Sequence, residues 1–380
     1  MTVRGLIAVG ATTFGLLGAG GGTALAGDAA AQLGSVLKRA QQVRDIQMTD
    51  EEEQKLGAAV SEKIRDRYGV VQDAAVHKYV SLVGRVLALK STRPQLDWQF
   101  IVLDTDGVNA LAAPGGYVHI TRGALSLMKS EAELADVLGH EIIHVTEKHT
   151  IKAIQKGKMV QIGADETVGS SAVFSKLVDK AYEVVDAGFG REEELESDRK
   201  GITLANAVGY DPSRLGVFLN TLTERNKAST EKQGLFASHP QMKERLEKLE
   251  KTIKDGKLAA TATVEARFAK FVTYKPVSIA EIATVEAGSA GLAGGSKTSE
   301  TAKKDEGEQA EKPKKRGFGL GRLVAPSSGG EKASTETTGS SAARGVDTER
   351  RAKGGSNKTL VTVTLTAADI TAFKKEGNLN

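Results

Sequence analysis

The stretch His140-Glu141-Ile142-Ile143-His144 is the most informative part of this sequence. Residues four positions apart lie on the same face of a helix, so the two imidazoles at its ends can bind one metal ion. Glu141 then lies beside that ion, where it can act as a general base toward water. The alternative is an exposed helix that happens to carry two histidines, and the rest of the sequence has to decide between them.

A catalytic zinc site needs a third protein ligand and one position left open for water. The spacing HExxHxxGxxH would provide a third histidine, but Glu147 and Thr150 stand at the glycine and histidine positions. On a continuous helix, His149 would lie about half a turn away from the ligand face. The chain contains no cysteine, so zinc has to be held by histidine and carboxylate.

We expect the carboxylate ligand in a second helix, which begins with the acidic stretch Arg191–Asp198. Glu194 and Asp198 share one face of this helix. The other residues on that face are small: Ser197, Gly201 and Ala205. Small residues allow a close helix contact, so Glu194 can reach the metal and Asp198 can accept the free ring N–H of a ligand histidine. The remaining acids are predicted to face solvent: Glu192, Glu193 and Glu196.

Capping residues and apolar spacing predict an α+β domain that is mainly helical. Strands are predicted at Gln99–Leu103 and Gly116–Thr121, each next to turn residues. Ser130 and Glu133 have the spacing of a capping box and start the helix that carries the metal-binding motif. The sequence therefore predicts a small sheet beside the active-site helix. If the second strand is a sheet edge, an extended substrate can add to it through main-chain hydrogen bonds.

The N-terminus has the features of an export signal. Arg4 precedes an apolar run from Gly5 to Leu17, and Ala24-Leu25-Ala26 forms a cleavage site. This run is shorter than the ~20 residues that cross a bilayer comfortably, and no later segment is long and apolar enough to do so. We therefore expect residues 1–26 to be a signal peptide and the mature chain to have no transmembrane span. The periplasm is the expected compartment, with an uncleaved anchor or secretion as alternatives.

Composition divides the rest of the chain into three parts. Residues 27–285 carry the regular apolar patterns of the predicted catalytic domain. Residues 286–357 are rich in small and charged residues and are predicted to be a disordered linker. Residues 358–380 are predicted to form a strand at Leu360–Leu365 and a short helix, with Arg267–Val272 as the partner of that strand. A net charge of +4 and 4% aromatic residues argue against a nucleic-acid partner.

These motifs together resemble the HtpX-like and CAAX-prenyl-endopeptidase family of zinc metallopeptidases, within the gluzincin group. The resemblance runs from about Met48 to Leu249. Besides the HExxH motif, the matching residues are Asn109-Ala110, Pro114-Gly115-Gly116-Tyr117-Val118, Thr121-Arg122-Gly123, His149, Glu194-Leu195-Glu196-Ser197-Asp198, Gly209-Tyr210-Asp211-Pro212, His239-Pro240 and Arg245. Ile143, Lys148 and Ser197 depart from the residues that are usual in the family.

The resemblance implies a function for five of these site residues. His140, His144 and Glu194 are the implied ligands of one Zn²⁺ per chain, Glu141 is the base, and Asp198 supports a ligand histidine. His239 or Arg245 is expected to donate to the oxyanion. His239 is equally compatible with a capping or packing role at the start of a helix, and it could also occupy the open zinc position in a resting state.

Because membrane helices of the HtpX type are missing, the chain is similar to the exported branch that is associated with quality control of envelope and outer-membrane proteins. The expected activity is a zinc metalloendopeptidase acting on unfolded or misassembled proteins. A chaperone-like assembly or binding factor on the same scaffold is one alternative. A peptidase for short peptides is the other.

Overall fold

The structure is a computed structural model that describes residues 48–156, 171–227, 239, 242–285 and 348–380. The predicted signal peptide and most of the predicted linker lie outside these residues. Within the described part, helices predominate around one three-stranded sheet. This arrangement confirms the prediction of a mainly helical α+β fold.

The described elements are numbered here in chain order. The helices are α1 (Asp50–Tyr68), α2 (Ala74–Ala88), α3 (Arg122–Leu127), α4 (Glu131–Thr146), α5 (His149–Lys156), α6 (Ser171–Ala187), α7 (Arg191–Val208), α8 (Arg214–Asn226), α9 (Met242–Gly256), α10 (Glu265–Phe271) and α11 (Ala367–Glu376). The strands are β1 (Gln99–Leu103), β2 (Ala110–Ala113) and β3 (Tyr117–Thr121).

The strand order is β1-β3-β2, with β3 parallel to β1 and antiparallel to β2. A tight turn at Pro114–Gly116 joins β2 to β3, and Gly115 adopts a φ of 72°, which favours glycine. The predicted strand at 116–121 is therefore the central strand, and the expectation that a substrate could add to it as an edge was wrong. Both of its main-chain sides are already paired with neighbouring strands.

Both faces of the sheet are buried. Phe100 and Val102 point into one core with α2 and α4, while Ile101 and Leu103 point into a second core with α1 and α6. A strand buried on both faces has no apolar–polar alternation. The sequence Ala110-Leu111-Ala112-Ala113 contains no β-branched residue, so the sequence does not predict β2.

The active-site helix is shorter than its apolar pattern suggests. α4 ends at Thr146, and Lys148 has a φ of 55°, in the left-handed region. His149 then begins α5 in a new direction. The expectation that His149 lies half a turn from the ligand face of a continuous helix is therefore wrong in its geometry.

The C-terminal segment packs on the domain without forming a strand. Residues 360–365 alternate between exposed and half-buried side chains, but no described residue pairs with them in a ladder. Their expected partner, 267–272, lies largely in helix α10, where Phe268 packs in the core and Phe271 stacks on Tyr79. The predicted pairing was therefore wrong, because these aromatic residues at helical spacing bury their rings better in a helix.

Residues 348–357, which the sequence placed in the linker, contact the domain in the structure. Gly355 donates its main-chain N–H to the carbonyls of Tyr68 and Asp104, and Val70 donates to Asn357. Thr366 and Asp369 form the capping box of α11, as predicted. Among the described helices, none combines the length and the apolar composition that a bilayer crossing requires.

Candidate metal centre

The helix α4 lies in the middle of the domain, and every one of its residues is buried. Ser130 caps its N-terminus by accepting a hydrogen bond from the main-chain N–H of Glu133. The metal-binding motif is therefore on a rigid element that is packed on all sides. Such an element holds side chains with the precision that a metal site needs.

The helix α7 packs closely against α4 through glycines. A Cβ atom on Gly201 would come within 2.7 Å of the main-chain nitrogen of His140, and one on Gly139 within 2.9 Å of the Gly201 carbonyl oxygen. The two main chains are thus nearly in contact. This close approach brings Glu194, on the same face of α7, to the two histidines of α4.

Four buried side chains gather at this helix contact: His140, His144, Glu194 and His239. One ligand atom from each lies within 4.8 Å of those from the others. The Nε2 atoms of His140 and His144 are 3.0 Å apart and lie 3.6 and 3.5 Å from the Glu194 carboxylate. His239 Nδ1 is 2.9 Å from both oxygens of Glu194. The four possible ligand atoms therefore lie close enough together to surround one ion.

Asp198 and Arg245 support this cluster from one side. The Asp198 carboxylate is 2.9 Å from His140 Nδ1 and accepts two hydrogen bonds of 2.7 Å from Arg245. Arg245 also lies 3.2 Å from Glu194 and donates to the His239 carbonyl. Burial alone would raise the pKa of Glu194, but His239 and Arg245 outweigh it and hold that pKa well below its usual value.

Glu141 differs from the other acids because its carboxylate is buried without a hydrogen bond. Neither of its oxygens has a hydrogen-bond partner among the described residues, and His239 Nε2 is 3.7 Å away. Burial raises the pKa of Glu141. Its side chain borders a small cavity of about 10 Å³, which is also lined by Val137, Leu215, Phe218 and Leu219. A buried carboxylate that accepts no hydrogen bond is costly, and such groups are typical of catalytic sites.

The structure brings together all the predicted site residues, and it adds one aromatic residue that the sequence does not predict. The Phe189 ring stacks on His144, with centroids 4.1 Å apart and planes 20° apart. The available signal was a lone aromatic residue between Gly188 and Gly190, just before the acidic helix. His77 and His119 lie outside the cluster and bond to Val71 and Ser61, respectively.

A model of peptidase family M48 matches residues 74–253 of this chain. The matched range contains the HExxH helix, the acidic helix and His239, so it includes the whole cluster. Residues 74–253 of the chain are similar to peptidase family M48. This result confirms the resemblance seen in the sequence, and M48 peptidases are zinc-dependent enzymes.

Curated relatives of this chain include proteases from bacteria and fungi. It is 25% identical over 213 residues to the putative beta-barrel assembly-enhancing protease of Vibrio cholerae, covering 52% of this chain and 43% of that protein. It is 24% identical over 208 residues to the beta-barrel assembly-enhancing protease of Escherichia coli, covering 51% and 42%. It is 30% identical over 176 residues to the mitochondrial metalloendopeptidase OMA1 of Schizosaccharomyces pombe, covering 44% and 50%. The matched region thus spans half or less of each relative's length.

Proposed function

We propose that this chain is a zinc-dependent metalloendopeptidase that hydrolyses peptide bonds in unfolded or misassembled envelope proteins. The observation that carries the proposal is the buried Glu141 carboxylate beside the four-residue cluster, since it has no hydrogen-bond partner among the described residues. A structural glutamate at this depth would be paired with a donor or a cation. A carboxylate whose oxygens accept no hydrogen bond is suited to receive a proton during a reaction.

The chemistry of the donors fits zinc. Imidazole nitrogens and one carboxylate form the ligand set of many catalytic zinc sites, whereas calcium and magnesium prefer oxygen ligands. His140, His144 and Glu194 would hold the ion. Asp198 would accept the N–H on the second ring nitrogen of His140 and so keep its Nε2 free of a proton. Arg245 compensates the negative charge of the ligand carboxylate Glu194 and of Asp198 behind the site.

When bound, zinc supplies Lewis acidity, which polarises a scissile carbonyl and makes water more acidic. Glu141 accepts a proton from the water whose oxygen attacks the carbonyl carbon. The same carboxyl group then delivers the proton to the departing amine nitrogen as the C–N bond breaks. The raised pKa of Glu141 suits both steps, because it brings the two protonation states closer in energy.

We assign different roles to the two remaining site residues. The Arg245 nitrogens already contact Asp198, Glu194 and the His239 carbonyl. We therefore assign Arg245 a positioning role, whereas the sequence suggested it as a donor to the oxyanion. His239 Nδ1 is 3.3 Å from His140 Nε2, among the ligand atoms. This position favours His239 as an additional donor to the metal in a resting state. A metal-site spectrum that His239→Ala leaves unchanged would remove that role.

The proposed substrate and compartment rest on the export signal and on the relatives. The N-terminal pattern supports export to the periplasm, and the names of two relatives refer to beta-barrel assembly. Unfolded envelope proteins expose the extended segments that a peptidase without strong sequence preference can bind. A chaperone-like factor is the main alternative, but it would have no use for a general base at Glu141.

The proposal is tested with zinc-loaded protein and two kinds of substrate, an unfolded outer-membrane protein and a set of short peptides. Glu141→Gln should reduce turnover by about 10²–10⁴-fold, the usual contribution of a general base, while zinc content stays the same. The exposed Glu62 on α1 offers a matched control, since Glu62→Gln should leave turnover unchanged. Equal turnover in wild type and Glu141→Gln would exclude the hydrolase. A preference for short peptides would exclude the quality-control substrate.

A further inference from the structure

His149 lies directly behind one of the proposed zinc ligands. The break at Lys148 turns the chain after α4, and His149 Nδ1 comes to 2.9 Å from His144 Nδ1. The other ring nitrogen of His149, Nε2, is 3.3 Å from the Glu196 carboxylate on α7. The His149 side chain is 2% exposed. His144, His149 and Glu196 thus form a continuous hydrogen-bonded row that leads away from the metal site.

The protons in this row can be assigned from the ligand geometry. His144 directs Nε2 at the other metal donors, and a ligand nitrogen carries no proton. In a neutral imidazole the proton then sits on Nδ1. His144 therefore donates to His149 Nδ1, which must be an acceptor. His149 carries its own proton on Nε2 and donates it to Glu196.

Neighbouring contacts hold this row in place. Lys200 lies 2.7 Å from Glu196 and 2.6 Å from Glu147 at the end of α4, so the carboxylate that ends the row is itself anchored. The Phe189 ring packs against both imidazoles, with its centroid 4.1 Å from that of His144 and 5.8 Å from that of His149. The hydrogen bond between the two histidines is therefore shielded from water and retains its strength.

We propose that His149 is a positioning residue that fixes the tautomer and ring orientation of His144 by accepting its Nδ1–H. Glu196 holds His149 in this role by accepting its Nε2–H. This inference rests on the proposed zinc site. The two ligand histidines then differ in the group that accepts their Nδ1–H. For His140 it is the buried carboxylate of Asp198, and for His144 it is the neutral imidazole of His149. Partners of this kind typically contribute about 10–100-fold to metal affinity.

The test compares zinc affinity, measured by chelator competition, in wild type, His149→Phe and His149→Gln. Phenylalanine keeps a ring against Phe189 but cannot accept a hydrogen bond, so His149→Phe should bind zinc about 10–100-fold more weakly. Glutamine offers a carbonyl oxygen to His144 and an N–H to Glu196, so it should recover most of that loss. Nitrogen NMR of the zinc-loaded protein should find the His144 proton on Nδ1 in wild type and in His149→Gln.

A second substitution, Glu196→Gln, tests the acceptor at the far end of the row. Its matched control is Glu193→Gln. Glu193 joins the same two helices through a 3.0 Å ion pair with Lys156 but touches no ligand, so only Glu196→Gln should weaken zinc binding. Thermal melts of the zinc-free variants check that they fold. Unchanged affinity in His149→Phe, or equal losses in the Phe and Gln variants, would overturn the inference. A wild-type protein that binds no zinc would instead refute the proposed function.

Discussion

Gly201 on α7 lies against the main chain of His140 on α4, so close that a Cβ atom at Gly201 would come within 2.7 Å of the His140 nitrogen. The glycine is needed here for space, since the residue is in a regular helix. One helix carries the HExxH motif and the other carries Glu194. The distance between their main chains therefore decides whether the carboxylate and the imidazoles can share one ion.

We predict that Gly201→Ala separates these helices and weakens the metal site. Overpacking of this kind costs about 1–3 kcal/mol of unfolding free energy, and zinc affinity should fall as well. Chemical denaturation and chelator competition measure the two effects. Gly216→Ala on α8 is the control, because the nearest atom to its Cβ would be Leu246 Cδ2 at a comfortable 3.7 Å. This control should gain up to about 1 kcal/mol from helix propensity. Equal stability in the two variants would contradict the close-contact argument.

Removal of zinc should lower the thermal midpoint of the protein. A ligand that binds only the folded state stabilises it by about 4 kcal/mol at a thousandfold excess over its dissociation constant. Calorimetry with a chelator, and again after zinc is restored, measures the shift. A His140→Ala/His144→Ala double variant should melt at the same temperature with and without zinc. A wild-type midpoint that ignores the chelator would show that these donors do not hold an ion.

Arg267→Ala should destabilise the domain by weakening the start of α4, at Glu131. Glu131, the first residue of α4, is fully buried and is held by Arg267 and by the hydroxyls of Tyr79 and Tyr210. Loss of the guanidinium leaves a buried charge without its cation, a change that costs about 3 kcal/mol or more. Arg267 also donates to the Phe373 carbonyl, so hydrogen exchange in α11 should accelerate.

The control for Arg267→Ala is Glu376→Gln. Glu376 lies 3.6 Å from the same guanidinium, but its side chain is 68% exposed. An exposed ion pair contributes less than about 1 kcal/mol, so this variant should remain near wild-type stability. If both substitutions cost the same, the buried Glu131 pair does not stabilise the start of the active-site helix.

His119 should make the stability depend on pH below neutrality. Burial lowers the pKa of His119 from 6.5 to about 3. Between these values the unfolded chain binds a proton that the folded chain does not, so the unfolding free energy falls as the pH falls. The contribution is about 1.4 kcal/mol per pH unit. Denaturation of metal-free wild type and His119→Gln is measured at pH 6.0, 5.0 and 4.5 with a chelator present. The unfolding free energy of the variant should change with pH less steeply than that of the wild type, by this amount. Parallel slopes in the variant and the wild type would contradict the assignment.

The sequence by itself determined the features that depend on local spacing. Helical periodicity places His140, Glu141 and His144 on one turn, and Ser130 starts that helix through its own side chain. The small residues on the face of Glu194 also indicated a close helix contact, because side-chain size can be read directly from the sequence. None of these inferences requires knowledge of distant contacts.

Only the tertiary structure decided how the distant elements meet. β3 is central because the Ala-rich β2 pairs with it, and alanine carries little strand signal. His149 reaches His144 because the chain bends at Lys148, and Arg245 is engaged by carboxylates of another helix. Main-chain direction after a helix end and the pairing of buried charges depend on the packing of the whole domain. For that reason local periodicity located the metal site, and long-range packing determined what surrounds it.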